Sequence, residues 1–122
     1  MATIIVNTGE HDGDYYPLGR RITVIGRAEA LPIQIIDEHV SRKHLQIRYD
    51  PNIDGYMAVD MNSRHGVYIN GIRITQAVQL QDNDYITIGN TTLFFTLSDF
   101  SEQKSAMHYF KKVGERYCTT LC

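Results

Sequence analysis

The sequence predicts an all-β fold, a sandwich or barrel of about eleven short strands with a C-terminal helix behind it. Three observations carry this. Short β-prone runs recur along residues 3–97 with turn residues between them. Lys43–Asp50 alternates, with Leu45, Ile47 and Tyr49 on one face and His44, Gln46 and Arg48 on the other, the period-2 mark of a half-buried strand. Asn70-Gly71 between two apolar runs is the strongest hairpin signal, because both central residues of a type I′ turn need a positive φ.

In order, Thr3–Asn7 opens the series. Tyr15–Leu18 and Ile22–Gly26 follow, separated by Gly19-Arg20-Arg21, and Ile33–Ile36 is a short apolar run after Pro32. The alternating strand at Lys43–Asp50 meets the turn Pro51-Asn52-Ile53-Asp54-Gly55, and Tyr56–Met61 pairs back as a hairpin. Val67–Ile69 and Ile72–Ile74 flank Asn70-Gly71. Ala77–Leu80, Tyr85–Ile88 and Thr91–Leu97 complete the set, with turns at Asp82-Asn83-Asp84 and Gly89-Asn90. The tail changes period. Asp99 and Glu102 resemble a capping box, Met107, Phe110 and Val113 recur at helical spacing, and Gly114 can end the run. This predicts a helix over 98–113, and divides the chain into a β domain, 1–97, and an amphipathic tail, 98–122.

Composition is that of a soluble single domain: 122 residues, 43% hydrophobic and 21% charged. This length buries enough surface for one core without staples. No apolar run approaches a membrane span, and Thr3-Ile4-Ile5-Val6 reads as a strand rather than a signal peptide. The net charge of −2 gives nucleic-acid binding no global electrostatic support. The only cysteines, Cys118 and Cys122, stand at the extreme end and cannot staple a core, so a reducing cytoplasm is expected.

Three loops collect the residues that carry chemistry. Gly26-Arg27 follows a strand, Ser41-Arg42-Lys43-His44 precedes one, and Asp60–Gly66 joins two more. In a sandwich, alternate connections emerge at the same end, so these loops can converge. Together they offer guanidinium, hydroxyl and backbone donors. That set suits a phosphate dianion, with its three acceptor oxygens.

Gly26-Arg27, then Ser41-x-x-His44, then Ser63-x-x-Gly66-x-x-x-Asn70-Gly71 resembles the forkhead-associated (FHA) domain, over about Ile22 to Leu97. The resemblance implies an eleven-stranded β-sandwich of two sheets that binds phosphothreonine peptides through loops at one end. It puts Arg27 and Ser41 on the phosphate, with Arg42 and Arg64 beside it. It puts His65 where relatives often carry an Asn that holds the peptide backbone. Gly26, His44, Gly66, Asn70 and Gly71 fall on positions that shape and brace the loops. The γ-methyl of phosphothreonine implies a small pocket, for which Val67 and Asn70 are candidate neighbours. The implied partner is a protein phosphorylated by a Ser/Thr kinase, with no cofactor, metal, nucleic acid or membrane involved.

Other readings compete. Ser41 with His44 invites an enzyme, but a triad also needs an orienting carboxylate and an oxyanion site, and no Gly-rich elbow surrounds Ser41, so no catalysis is expected; the loops' carboxylates are Asp37, Glu38 and Asp60. His39, His44 and His65 with Cys118 and Cys122 lack the tight pairings of structural zinc, so no metal is expected. A phosphate-independent assembly module is the alternative that the amphipathic tail supports, by docking on a second copy or on another domain; docking in cis on its own sandwich is the simpler reading of the tail.

Overall fold

The computed structural model describes residues 2–7 and 13–97. The expected helix over 98–113, with Cys118 and Cys122, lies outside the described residues. Eleven strands form: β1 (Thr3–Val6), β2 (Tyr15–Pro17), β3 (Ile22–Gly26), β4 (Ile33–Gln34), β5 (Leu45–Asp50), β6 (Gly55–Asp60), β7 (Val67–Ile69), β8 (Ile72–Arg73), β9 (Val78–Gln79), β10 (Asp84–Ile88) and β11 (Thr91–Thr96). They make two sheets, ordered β2-β1-β11-β10-β7-β8 and β4-β3-β5-β6-β9. A sandwich, not a barrel, is therefore the architecture. Among the described residues no helix is long and apolar enough to cross a membrane.

The pairing follows from the pattern of side chains. Leu45 and Ile47 are buried and Arg48 is exposed, so the alternation in β5 faces the core as its period requires. β5 and β6 pair across the turn at 51–54, from Leu45 opposite Asp60 to Asp50 opposite Gly55. Asn70 (φ 51°) and Gly71 (φ 83°) supply the two left-handed residues of the β7–β8 turn. The first and last strands, β1 and β11, lie side by side inside the larger sheet. β3 and β4 form a parallel pair. Between the sheets sits one apolar core, in which Ile4, Ile25, Leu45, Ile47, Ile86, Ile88, Leu93 and Phe95 are fully buried.

Several strands are shorter than the sequence suggests, and two of these differences, in β4 and β5, bear on the loops. β4 stops at Gln34 because the chain turns: the Asp37 N–H donates to the Ile35 carbonyl at 3.1 Å, and Ile36 is 58% exposed. β5 starts at Leu45, not Lys43, because a turn holds Ser41–His44; the Ser41 N–H donates to His44 Nδ1 at 3.0 Å. Both shortenings give residues to one end of the sandwich. The connections 27–32, 35–44, 61–66 and 89–90 all gather there.

Candidate functional site

The site begins with the close approach of two backbones. The Arg27 N–H donates to the Ser41 carbonyl at 3.0 Å, and the Ala28 N–H to the Arg42 carbonyl at 3.2 Å. This contact explains Gly26. A Cβ there would stand 2.3 Å from the Arg42 carbonyl oxygen, closer than any side chain tolerates. Arg27 is exposed, yet its Nε donates to the Val40 carbonyl at 3.1 Å. One edge of the guanidinium is thus fixed to the protein, and the remaining N–H groups face outward.

His44 is the brace that joins the loops. It is fully buried, at 0% exposure. Its Nδ1 accepts the Ser41 N–H, so Nε2 carries the ring proton and donates to the Gly66 carbonyl at 2.7 Å. Its own backbone N–H donates to Ile25, and its carbonyl accepts the Met61 N–H, both at 3.0 Å. Both ring nitrogens are therefore committed to backbone groups, and neither is offered to the Ser41 hydroxyl. That hydroxyl accepts the Arg64 N–H at 3.0 Å. Accepting there leaves its own proton to donate outward.

The third loop is fixed the same way. The Ser63 N–H donates to Asp60 Oδ1 at 2.9 Å, and the Ser63 Oγ accepts the Gly66 N–H at 3.0 Å. Gly66 has φ +82°, and a Cβ there would meet Arg73 Nε at 2.8 Å. Glycine answers both constraints. Arg64 and His65 stand exposed at the tip of this loop.

A fourth loop joins the cluster, and sequence reasoning did not include it. Asp37 accepts the His39 N–H at 2.9 Å on Oδ1, and the Asn90 N–H and Thr91 hydroxyl at 2.8 Å each on Oδ2. Burial alone would raise this carboxyl. The hydrogen bonds, with the His39 ring 3.7 Å away, outweigh it and hold Asp37 below the ordinary carboxylate range. His39 Nδ1 also lies 2.9 Å from Asn90 Nδ2, and its ring centroid lies 5.4 Å from that of His65. No motif marks this brace, since Asp37 and Asn90 are 53 residues apart.

Arg27, Arg42 and Arg64 are thus gathered at one end and exposed, and among the described residues none of them pairs with a carboxylate. Asp37 and Asp60 within the cluster accept backbone N–H groups, and Glu29 and Glu38 stand exposed on the connections around it. Two residues lie elsewhere. Val67 is fully buried in the core. Asn70 sits at the far end of β7, where its Nδ2 donates to Asp84 Oδ1 at 2.9 Å and its Oδ1 accepts the Tyr85 N–H at 3.0 Å. Asn70-Gly71 therefore braces the opposite end of the sandwich. Among the described residues no group of three or more His, Cys, Asp or Glu is placed to hold a metal ion.

Comparison with known proteins bears on the family and the fold. The glycogen accumulation regulator GarA of Mycobacterium tuberculosis is 33% identical over 94 residues, which cover 77% of this chain and 56% of GarA. The chain thus spans about half the length of that relative, and 17% of the FHA domain-containing protein FhaA of the same species. A solved domain described for phosphothreonine-dependent FHA interactions superposes with a TM-score of 0.71 at 28% identity, covering 81% of this chain and 98% of that one. EmbR of Mycobacterium tuberculosis, solved with a low-affinity phosphopeptide, gives 0.71 at 31% identity, over 83% of this chain and 25% of EmbR. The FHA domain family model matches residues 23–89, more than half of the sequence, and the chain belongs to that family.

Proposed function

We propose that this chain is a phosphorylation-dependent interaction module that binds phosphothreonine peptides at the loop end of its sandwich, and that it is not an enzyme. The observation that carries the reading is the Arg27–Ser41–Arg64 cluster. One guanidinium is held by Val40, one hydroxyl has its proton left to give, and exposed arginines flank them without carboxylate partners. An anion entering there meets donors already oriented, so little order has to be created on binding.

In this reading Arg27 and Ser41 take two phosphate oxygens, and Arg42 and Arg64 add charge at the rim. His65 holds the peptide backbone beside the phosphothreonine. The support is its place at the loop tip, next to Arg64 and against His39. Gly26, His44 and Gly66 shape the loops without touching the ligand. The partner is a protein phosphorylated by a Ser/Thr kinase, met in the cytoplasm. No cofactor enters.

The test is calorimetry with a phosphothreonine peptide chosen from an oriented library, against its unphosphorylated form and against Arg27→Ala. A charged phosphate contact is worth about 1.5–3 kcal/mol, so Arg27→Ala should weaken binding roughly 10- to 100-fold. The melting temperature should hardly move, because the side chain is exposed. Equal affinity for the unphosphorylated peptide would overturn the reading.

A further inference from the structure

The larger sheet has a second face, and the sandwich does not account for it. On β1 and β11 the inward residues are Ile4, Val6, Leu93 and Phe95, which join the core between the sheets. By strand alternation Ile5 and Phe94 point the other way, and they sit directly opposite each other. A face turned to water should carry polar side chains there. Instead Tyr15, Ile5, Phe94 and Tyr85 form one row across β2, β1, β11 and β10. Ile5 and Phe94 are also 0% exposed, as are Thr3 and Thr96 on the same face. Neighbours on a strand stand upright beside a central side chain and cannot cap it. The second sheet lies on the opposite side. Something therefore covers this face.

We propose that the cover is the chain's own segment from 98 to 113, and that the outer face of β1 and β11 is its docking surface. The reasons are position, reach and chemistry. The buried patch extends to Thr96, and the segment starts two residues later, after Leu97, whose N–H is tied to Asp82 Oδ1 at 2.9 Å. Besides Met1 and the end beyond 113, the stretch not described is 8–12, and it leaves from beyond Val6. That end of β1 is about 10 Å from Thr3, at roughly 3.3 Å per strand residue. Five residues anchored there cannot cover Thr3 and Thr96. As the helix its spacing predicts, 98–113 would be about 24 Å long, enough to cross four strands spaced about 4.8 Å apart. Met107, Phe110 and Val113 give it an apolar stripe to set against Ile5 and Phe94. The proposal does not depend on phosphopeptide binding, which uses another surface.

The experiment is isotope-filtered NMR on the full chain, with size-exclusion chromatography alongside. In a monomer, NOEs between the Ile5 methyls and the Phe110 ring are expected. Phe110→Asp should lower the melting temperature on the order of 5–10 °C. A double-mutant cycle of Ile5→Ala with Phe110→Ala should give less than the sum of the two single losses. NOEs seen only between differently labelled molecules of a dimer would assign the face to a second copy and overturn docking in cis. A monomer without these NOEs, whose melting temperature ignores Phe110→Asp, would overturn the proposal outright.

Discussion

The two ends of the sandwich solve one problem with opposite chemistry. Both consist of short turns tied by side chains to backbone groups. At the far end the ties are carboxylates. Asp84 accepts from Gln81 and Asn70, Asp82 from Thr96 and Leu97, and Asp54 from the Tyr49 hydroxyl. The cation there, Arg20, lies 5.5 Å over the Tyr49 ring. At the loop end the central tie is a neutral ring, His44, helped by Ser63 and by glycines that let backbones touch. Its arginines are left facing out. A carboxylate beside the proposed anion site adds negative charge that opposes the ligand, so the central tie there is neutral, although Asp37 and Asp60 brace the turns around it. The difference fits what the proposed anion site asks of its scaffold: a central tie that carries no negative charge.

The largest effect should come from removing the neutral tie. His44→Ala leaves the Ser41 N–H and the Gly66 carbonyl without their buried partner and opens a void. Each orphaned group costs about 1–3 kcal/mol, so the loss should be about 2–5 kcal/mol in denaturant unfolding. Phosphopeptide affinity should fall more than tenfold even where the protein remains folded, because Ser41 and the 61–66 loop separate. Stability lost with affinity intact would mean that the loops hold their shape without His44.

Asp84→Ala breaks the other end. Asp84 is 8% exposed and accepts from the Gln81 N–H at 2.7 Å and from Asn70. The cost should be smaller, about 1–3 kcal/mol, since water reaches part of this turn. Phosphopeptide affinity should stay within about twofold. A tenfold loss of affinity would show that the ends are coupled and that the contrast between them does not describe separate tasks.

How far the two ends could be read from the sequence differs in the same way. Asn70-Gly71 announced its turn because the signal is local, two residues with a stated φ requirement. The strand pattern was equally legible, since alternation at 45–50 is a property of one segment. Gly26 was legible as a motif but not as a contact. Nothing in the spacing tells that the Arg42 carbonyl comes within 2.3 Å of its missing Cβ. The motif set also suggested that Asn70 and Gly71 serve the binding loops, whereas β7 carries them to the far end. The Asp37–Asn90 tie was illegible because an Asp and an Asn in two ordinary turns carry no pattern until the fold brings them together. Bonds across long separations were the part that sequence could not give.

Asp37 supplies the subtlest comparison, because, like Asp60, it is a carboxylate brace at the end whose central tie is neutral. It is tolerated because three donors saturate it, and the same donors hold its carboxyl below the ordinary value. The sign follows from linkage. A group whose folded value lies below its unfolded one, about 3.9 for Asp, binds fewer protons when folded. Its stabilisation is present above that unfolded value and is lost as pH falls through the folded one. Thermal melts of wild type and Asp37→Asn should therefore differ by a few degrees at pH 6–7, and the gap should narrow as pH falls below the unfolded value. A constant gap across that range would mean that Asp37 acts by shape alone. In that case its negative charge, rather than its saturation, would need explaining so near the arginines.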